Sequence, residues 1–500
     1  MENMRVPGGA DRLVSRRSLL GLGAAAGAAL ALTGCVRGPG APALVRPDRD
    51  SLEDVEGAVL RPGDPGYAEE AGGFNTALLR EPALIVAAAT AEDVARAVRY
   101  AAARELPIGV MATGHQNSVP LDGGVLVTTR ALTGVTVRRA TRSARVDAGV
   151  VWSDVVKQST RLGLAPLAGS AGTVGVVGYT VGGGLSPTLG RLHGYAADHV
   201  RRVELVTADG RRRTVSADVD EDLFWAVRGA KSNVGIVTAM EFGLFPVRTL
   251  YAAGLYLDGA AAAETIATWR DWAGTAPDDM SSSVALLQLP PDPAVPEPLR
   301  GKLVVHVRIA YAGPPERGAA LVRPLRDSGP VLLDTVAELP FADFASIHAD
   351  PVTPVPAYER TAQLGALPDA AVDRLVALAG PGSGSPLAVV EVRRLGGALA
   401  RRPAEDNAVS NRHASFNLFA AGVGGPEQAG AIKAHAARVV TDLAPWSTGG
   451  TLVNFLSTEE STPEQVRTAY SPQAYARLAA IKRSVDPANL FRLNHNIPPA

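Results

Sequence analysis

The chain has 500 residues, a formal net charge of −1, 46% hydrophobic and 20% charged residues. That length supports two domains with sizeable cores, and the balanced charge gives no reason to expect nucleic acid or an anionic lipid surface as a partner. Cys35 is the only cysteine, which excludes an intrachain disulfide.

Ser15-Arg16-Arg17-Ser18-Leu19-Leu20 is a twin-arginine signature ahead of a short apolar, small-residue run. It reads as a Tat-type export signal over residues 1–35, placing the protein outside the cell or at the outer face of the membrane. Leu32-Thr33-Gly34-Cys35 matches a lipobox. A lipid on Cys35 would be the only link to a membrane; the alternative is an ordinary cleavage site with a chance cysteine. Residues 36–75 are expected as a tether and N-terminal extension, flexible at least over 36–50.

A short apolar run at 84–89, a helical period over 91–104 and a strand over 107–111 make a β-α-β unit. It places the run Ala112-Thr113-Gly114-His115-Gln116-Asn117 at a strand's C-terminal end, where α/β sheets bind ligands. Further strands are expected at 125–129, 144–148 and 200–206, with a helix over 152–161. Asp209-Gly210 marks a hairpin turn. Between them lies the glycine-rich run 169–184, whose bare backbone suits a pyrophosphate.

After Pro246 the pattern changes. Strands at 251–258, 283–289, 303–311, 387–395 and 414–420 alternate with helical stretches, which suggests a largely antiparallel sheet backed by helices. On strand 303–311, Val304, His306 and Arg308 share one face. Glu391 and Arg393 share a face of theirs, and Ser415, Asn417 and Phe419 share another. Such a polar face suits a catalytic base and substrate ligands, or equally a half-solvated sheet. Glu391 is the first candidate for the base, with Arg393 keeping it charged. No histidine spacing suits a metal.

Four segments in order resemble the berberine-bridge-type flavoprotein oxidases: Ala112 to Asn117; the loop 169–184 with its continuation to Asp198-His199-Val200; Asp222-Leu223-Phe224-Trp225 through Lys231-Ser232-Asn233-Val234-Gly235-Ile236-Val237; and the tail Asp486 to Pro498. The resemblance spans residues 80–500. It implies an α+β fold: a PCMH-type FAD-binding domain at 76–248, a substrate domain at 249–449 and a C-terminal segment at 450–500 that returns to the first domain. It implies FAD, tethered covalently through His115. Ala112, Thr113, Gly114, Gln116 and Asn117 would line the pyrophosphate, facing Ser170, Gly172, Gly175, Gly178, Gly182 and Gly183. Asp198, Gly235, Val237 and Asn494 would complete the cofactor contacts, although Asp198 reads equally as a turn or cap residue.

Two departures stand out. Ala171 occupies the position of a cysteine that often forms a second flavin bond, so His115 would be the single link. Leu452 replaces a tyrosine that often assists proton transfer. By the same resemblance, Val174 lies beside the flavin carbon that reacts with oxygen, and its small size favours an oxidase. The implied activity is hydride removal from a sugar or a natural-product alcohol or amine, with oxygen as acceptor. The alternatives are a dehydrogenase with another acceptor and a flavin-bearing binding protein without turnover.

Overall fold

The computed structural model describes residues 51–115 and 119–500. The export signal, Cys35 and residues 36–50 lie outside the described residues, as do Gln116 and Asn117.

A four-stranded sheet carries the histidine loop. Its strands Leu84–Ala87, Val125–Thr128 and Ile108–Met111 run parallel, with Val125–Thr128 in the middle. Helix Ala91–Ala103 makes the crossover and buries Val94, Ala95, Ala97, Val98 and Ala101. Its start is fixed by Thr90, whose hydroxyl accepts from Asp93 N, a cap worth about 1 kcal/mol. The buried Asp93 carboxylate also accepts from Glu56 N, Gly57 N and Ala89 N. This draws in an antiparallel edge strand, Ala58–Leu60. Residues 51–75, expected as part of a tether and extension, therefore belong to the folded cofactor-binding half.

The second sheet is antiparallel and five-stranded, in the order Val135–Arg138, Ser143–Asp147, Ile236–Gly243, Val200–Val206, Arg212–Ser216. The hairpin at Asp209-Gly210 is present: Gly210 has φ +69° and Thr207 donates to Asp209 at 2.6 Å. A single apolar core joins the two sheets, with Trp152, Val203, Phe224 and Ile236 fully or almost fully buried. Burying an aromatic of this size contributes about 2–3 kcal/mol.

The third sheet is antiparallel and has eight strands. Its central path runs Thr249–Asp258, Leu303–Tyr311, Met280–Gln288, Val389–Arg394, Phe416–Val423, Ala357–Leu364. Helices Ala262–Thr275, Pro315–Arg326, Asp369–Ala379 and Pro426–Asp442 cover one face through Trp269, Leu325, Leu375 and Val439. Period-two alternation sends the polar set to the opposite face. That face is buried, not half-solvated: His306, Arg308, Ser283, Glu391, Asn417 and Gln363 are all nearly inaccessible. Glu391 and Phe419 are direct cross-strand partners, as are Arg393 and Asn417, so these four share one face. Ser415 precedes its strand.

The tail packs against the first half. Ile108 N donates to Leu490 O, and Leu490, Phe491 and Ile497 enter the core of the first half.

Candidate active site

The histidine loop leaves strand Ile108–Met111 through Gly114, whose φ is +62°. A side chain there would come within 2.6 Å of Gly73 Cα. Bare backbone lets residues 73–75 lie across the loop, with Phe74 N donating to Thr113 O at 3.1 Å. Arg130 ties the same layers together, donating from Nε to Ala112 O and from Nη1 to Glu69 O. The His115 ring rests on Phe74, with centroids 4.6 Å apart. Its Nδ1 is buried and has no hydrogen-bond partner among the described residues. Burial holds its pKa down and the Lys231 charge adds to this, against a pull upward from Asp350. His115 is thus a neutral imidazole with a free ring nitrogen near pH 7.

The glycine loop meets it. A Cβ on Gly175 would touch Ala112 Cβ at 3.5 Å and Thr113 Oγ1 at 3.7 Å. The carbonyls of Gly172 and Val174 are taken by Ser153 N and Trp152 N, which anchors the loop from behind. Helix Val176–Thr180 interrupts the loop, and Gly178 within it is exposed, with open space where its side chain would be. Gly182 and Gly183 are buried; a Cβ on Gly182 would collide with Asn454 Oδ1 and meet Lys231 Cε at 2.8 Å. Ser170 is half-buried and Ala171 buried beside them.

The tail closes this end. Asn494 donates to Ser232 Oγ at 3.0 Å and to Phe491 O, while its Oδ1 is buried without a partner. His495 Nε2 donates to Ser457 O at 3.1 Å. Fully buried Lys482 donates to Asn233 Oδ1, Phe491 O and Asn496 Oδ1. Asn233 in turn donates to His495 O. The segment Gly229 to Gly235 is thereby fixed from two sides.

Opposite the loops lies the polar face of the large sheet. Arg308, Ser283, Arg393, Asn417 and Gln363 form one cross-strand row, about 19 Å long at the usual strand spacing. Ser283 Oγ, Arg308 Nε, Asn417 Oδ1 and both ends of the Gln363 amide are buried with no hydrogen-bond partner among the described residues. Tyr179, from the glycine loop, lies within electrostatic reach of Arg393, and its buried hydroxyl is also unpartnered. Buried polar atoms are rarely left this way. Their concentration between two bare glycine loops and a polar sheet is the mark of a ligand cavity, and a dinucleotide with a ring system fits that donor set.

Several assigned roles change. Glu391, the first candidate base, is 4% exposed and clamped: Arg308 Nη1 lies at 3.0 Å, Arg393 Nη2 at 3.1 Å and His348 Nε2 at 3.7 Å. Arg393, Arg308 and His348 hold its carboxyl well below the usual range against the effect of burial. Such a carboxylate is a poor proton acceptor and serves as the counter-ion of two buried guanidiniums. Asp198 is likewise spent: it accepts from Tyr195 N and Asn407 Nδ2 and pairs with Arg412 at 2.6 Å. It ties loop 405–412 to the cofactor half, so its cap reading holds and no oxygen is left for a ribose. Gly235 has a packing reason, since a Cβ would reach Val206 O at 2.7 Å, and Val237 pairs with Leu205 in the same sheet. Leu452 packs with Leu185, Tyr195 and Leu395, so an apolar contact stands at the expected tyrosine position.

The sequence reading missed Lys231, Tyr179, His348 and Phe74. Lys231 and Tyr179 were detectable as a charge and a phenol inside glycine-rich runs. His348 and Phe74 sit in segments without a pattern.

Residues 82–216 match the model of the FAD binding domain, and residues 452–498 match that of berberine and berberine-like proteins. The chain is 29% identical to (R)-6-hydroxynicotine oxidase of Paenarthrobacter nicotinovorans over 467 residues, 89% of this chain and 97% of that one. The chain belongs to the berberine-bridge-like FAD-linked oxidases. The crystal structure of 6-hydroxy-D-nicotine oxidase from Arthrobacter nicotinovorans superposes with a TM-score of 0.77 at 26% identity, covering 90% of this chain and 99% of that one. A berberine-bridge-like protein of Physcomitrella patens gives 0.78 at 21% identity, covering 90% and 98%, which speaks for the fold. This member of the family is an FAD-linked oxidoreductase, and the two glycine loops with His115 lie in or beside its matched FAD domain.

Proposed function

We propose that this FAD-linked enzyme is an exported oxidase. It takes a hydride from a C–H bond next to a hydroxyl or amine and uses oxygen as acceptor. The observation that carries the substrate side is the row Arg308, Ser283, Arg393, Asn417, Gln363, with its buried unpartnered donors and acceptors opposite the cofactor loops. A hydroxyl- or amine-bearing substrate would satisfy those atoms where a hydrocarbon would leave them unpaired. Its hydroxynicotine-oxidising relative supports oxidase chemistry and keeps an amine within range.

When bound, FAD supplies the hydride acceptor and the route for two electrons to oxygen. The protein's contributions follow from its own residues. His115, neutral and with a free Nδ1, is the proposed single covalent tether, since Ala171 offers no thiol. Residues 112–114 and the loop 169–184 give the backbone cradle, and Asn494 helps close it. Glu391 pairs with Arg308 and Arg393 and fixes them, so that their donors and the Tyr179 hydroxyl orient the substrate. Val174, half-buried within the loop, is the small side chain on which the proposed oxygen access rests. Export rests on the twin-arginine run at Arg16-Arg17, and membrane attachment on Cys35.

Stopped-flow kinetics on the holoenzyme, with a panel of sugars, secondary alcohols and cyclic amines, test this reading. Expected are bleaching of the flavin by a polar substrate and rapid recovery in air with one peroxide per substrate. Bleaching followed by slow recovery would move the enzyme to the dehydrogenases.

A further inference from the structure

Lys231 is one of five lysines in the chain, and the structure goes to some trouble to place it. Its backbone is left-handed, with φ +55°, a conformation that glycine adopts freely and a lysine does not. The strain is held by neighbours: Lys231 N donates to Val181 O at 3.0 Å, and Lys482 and Asn494 clasp Asn233 and Ser232 just beyond it. The side chain then runs over Gly182, whose missing Cβ would meet Lys231 Cε at 2.8 Å. Here a glycine clears the way for a lysine stem.

The ammonium group makes no hydrogen bond or salt bridge among the described residues. Its charge acts on three groups from three separate elements: it disfavours protonating the imidazoles of His115 and His495, and Glu359 attracts it. Those two imidazoles each leave a buried Nδ1 unpartnered among the described residues. So are Asn454 Oδ1, which meets the same Gly182 position as Lys231 Cε, and the Oδ1 of Asn494, whose amide is bonded to the neighbouring Ser232. Burial brings its pKa down to about 8, so it stays mostly charged at neutral pH. A cation held on a strained backbone, inside the cofactor cavity and without a bonded counter-ion, is placed to answer a negative charge that arrives there.

We propose that Lys231 sets the reduction potential of the bound flavin, as a built-in cation that stabilises the negative charge the ring system acquires when it takes up electrons. This rests on the family assignment and is independent of the substrate. A ring made easier to reduce takes a hydride from weaker donors.

The test uses sulfite, which gives its sulfur lone pair to flavin N5 and leaves the ring anionic, so its affinity reports stabilising charge without any turnover. Wild-type, Lys231→Gly and Lys231→Arg holoenzymes are compared for flavin content, sulfite affinity and midpoint potential. Glycine suits the left-handed backbone, so Lys231→Gly is expected to fold with its flavin. It should bind sulfite roughly tenfold more weakly or worse and show a more negative midpoint, and Lys231→Arg should restore most of both. Wild-type sulfite affinity and potential in Lys231→Gly would overturn the proposal. So would a variant that sheds flavin while its loaded fraction keeps wild-type affinity, since Lys231 would then be a binding group only. A wild-type protein without any flavin would overturn the family-level reading together with it.

Discussion

At the scale of single residues, the site is governed by which buried charges have partners. Glu391 neutralises Arg308 and Arg393 at 3.0 and 3.1 Å. Removing one partner of a buried ion pair strands the other charge, at a cost of about 3–5 kcal/mol. Glu391→Gln is therefore expected to unfold at markedly lower denaturant, while any folded fraction keeps a wild-type pH profile for flavin reduction. A variant of normal stability that loses the acid-side limb of that profile, where a base would be protonated, would restore Glu391 as the base. Val174 makes a second residue-scale prediction. Val174→Leu should leave anaerobic flavin reduction intact and slow reoxidation by air; equal reoxidation rates would remove the oxygen-access role. Much at this scale was legible, because His115 and the glycines announce themselves by type and spacing. The fate of Glu391 and Asp198 was not. A lone carboxylate in a strand pattern says nothing of the arginines that three-dimensional register brings to it.

At the scale of elements, the informative piece is the tail. Lys482, on helix Pro472–Val485, gives its three donors to Asn233, Phe491 O and Asn496, and so joins the helix, the loop 229–235 and the chain end. Lys482→Met should destabilise the enzyme by about 3 kcal/mol or more. It should also speed flavin loss from an apo–holo equilibrium in which covalent attachment is blocked. Differential scanning fluorimetry and ultrafiltration read both effects; a melting point within a degree or two of wild type would contradict the assignment. Element type was readable where periodicity was strong, as in helix Ala91–Ala103 and strand Leu303–Tyr311. Strand Ala357–Leu364 escaped notice because Glu359, Thr361 and Gln363 all point to the buried polar face, so no apolar run marks it. Strand Ala58–Leu60 escaped because Asp93, far along the chain, supplies its anchor.

At the scale of the whole molecule, the two halves are stitched by arginines, one buried and one half-buried. Arg191 donates to Met280 O, Ala276 O and Leu395 O, and Arg412 pairs with Asp198. The cofactor half, with its returning tail, also contains histidines that burial keeps neutral. His193 and His495 are each brought down to about 4 from an ordinary 6.5. Between those values the unfolded chain binds protons that the folded one refuses, so stability falls as pH drops from about 6.5 toward 4. Lys231 and Lys482, each lowered to about 8 from 10.5, act on the alkaline side: in that window too the unfolded chain binds more protons, so their contribution improves as pH rises from about 8. Urea unfolding across pH 4 to 10 should show a steep acid limb and no matching loss between pH 8 and 10. A stability flat from pH 4.5 to 7 would contradict the buried neutral histidines. The overall α+β plan was legible from the order of motifs. The burial of the polar sheet face was not, since sequence alternation is the same whether water or a cofactor half covers that face.

The most direct measurement is acid precipitation of the purified protein beside its His115→Ala variant, followed by flavin absorbance and fluorescence in the washed pellets. Yellow, fluorescent wild-type pellet with a colourless variant pellet, and FAD only in the variant's supernatant, is the expected result. Flavin freed into the supernatant from both would contradict a covalent link at His115, and flavin retained in both pellets would place the link on another residue.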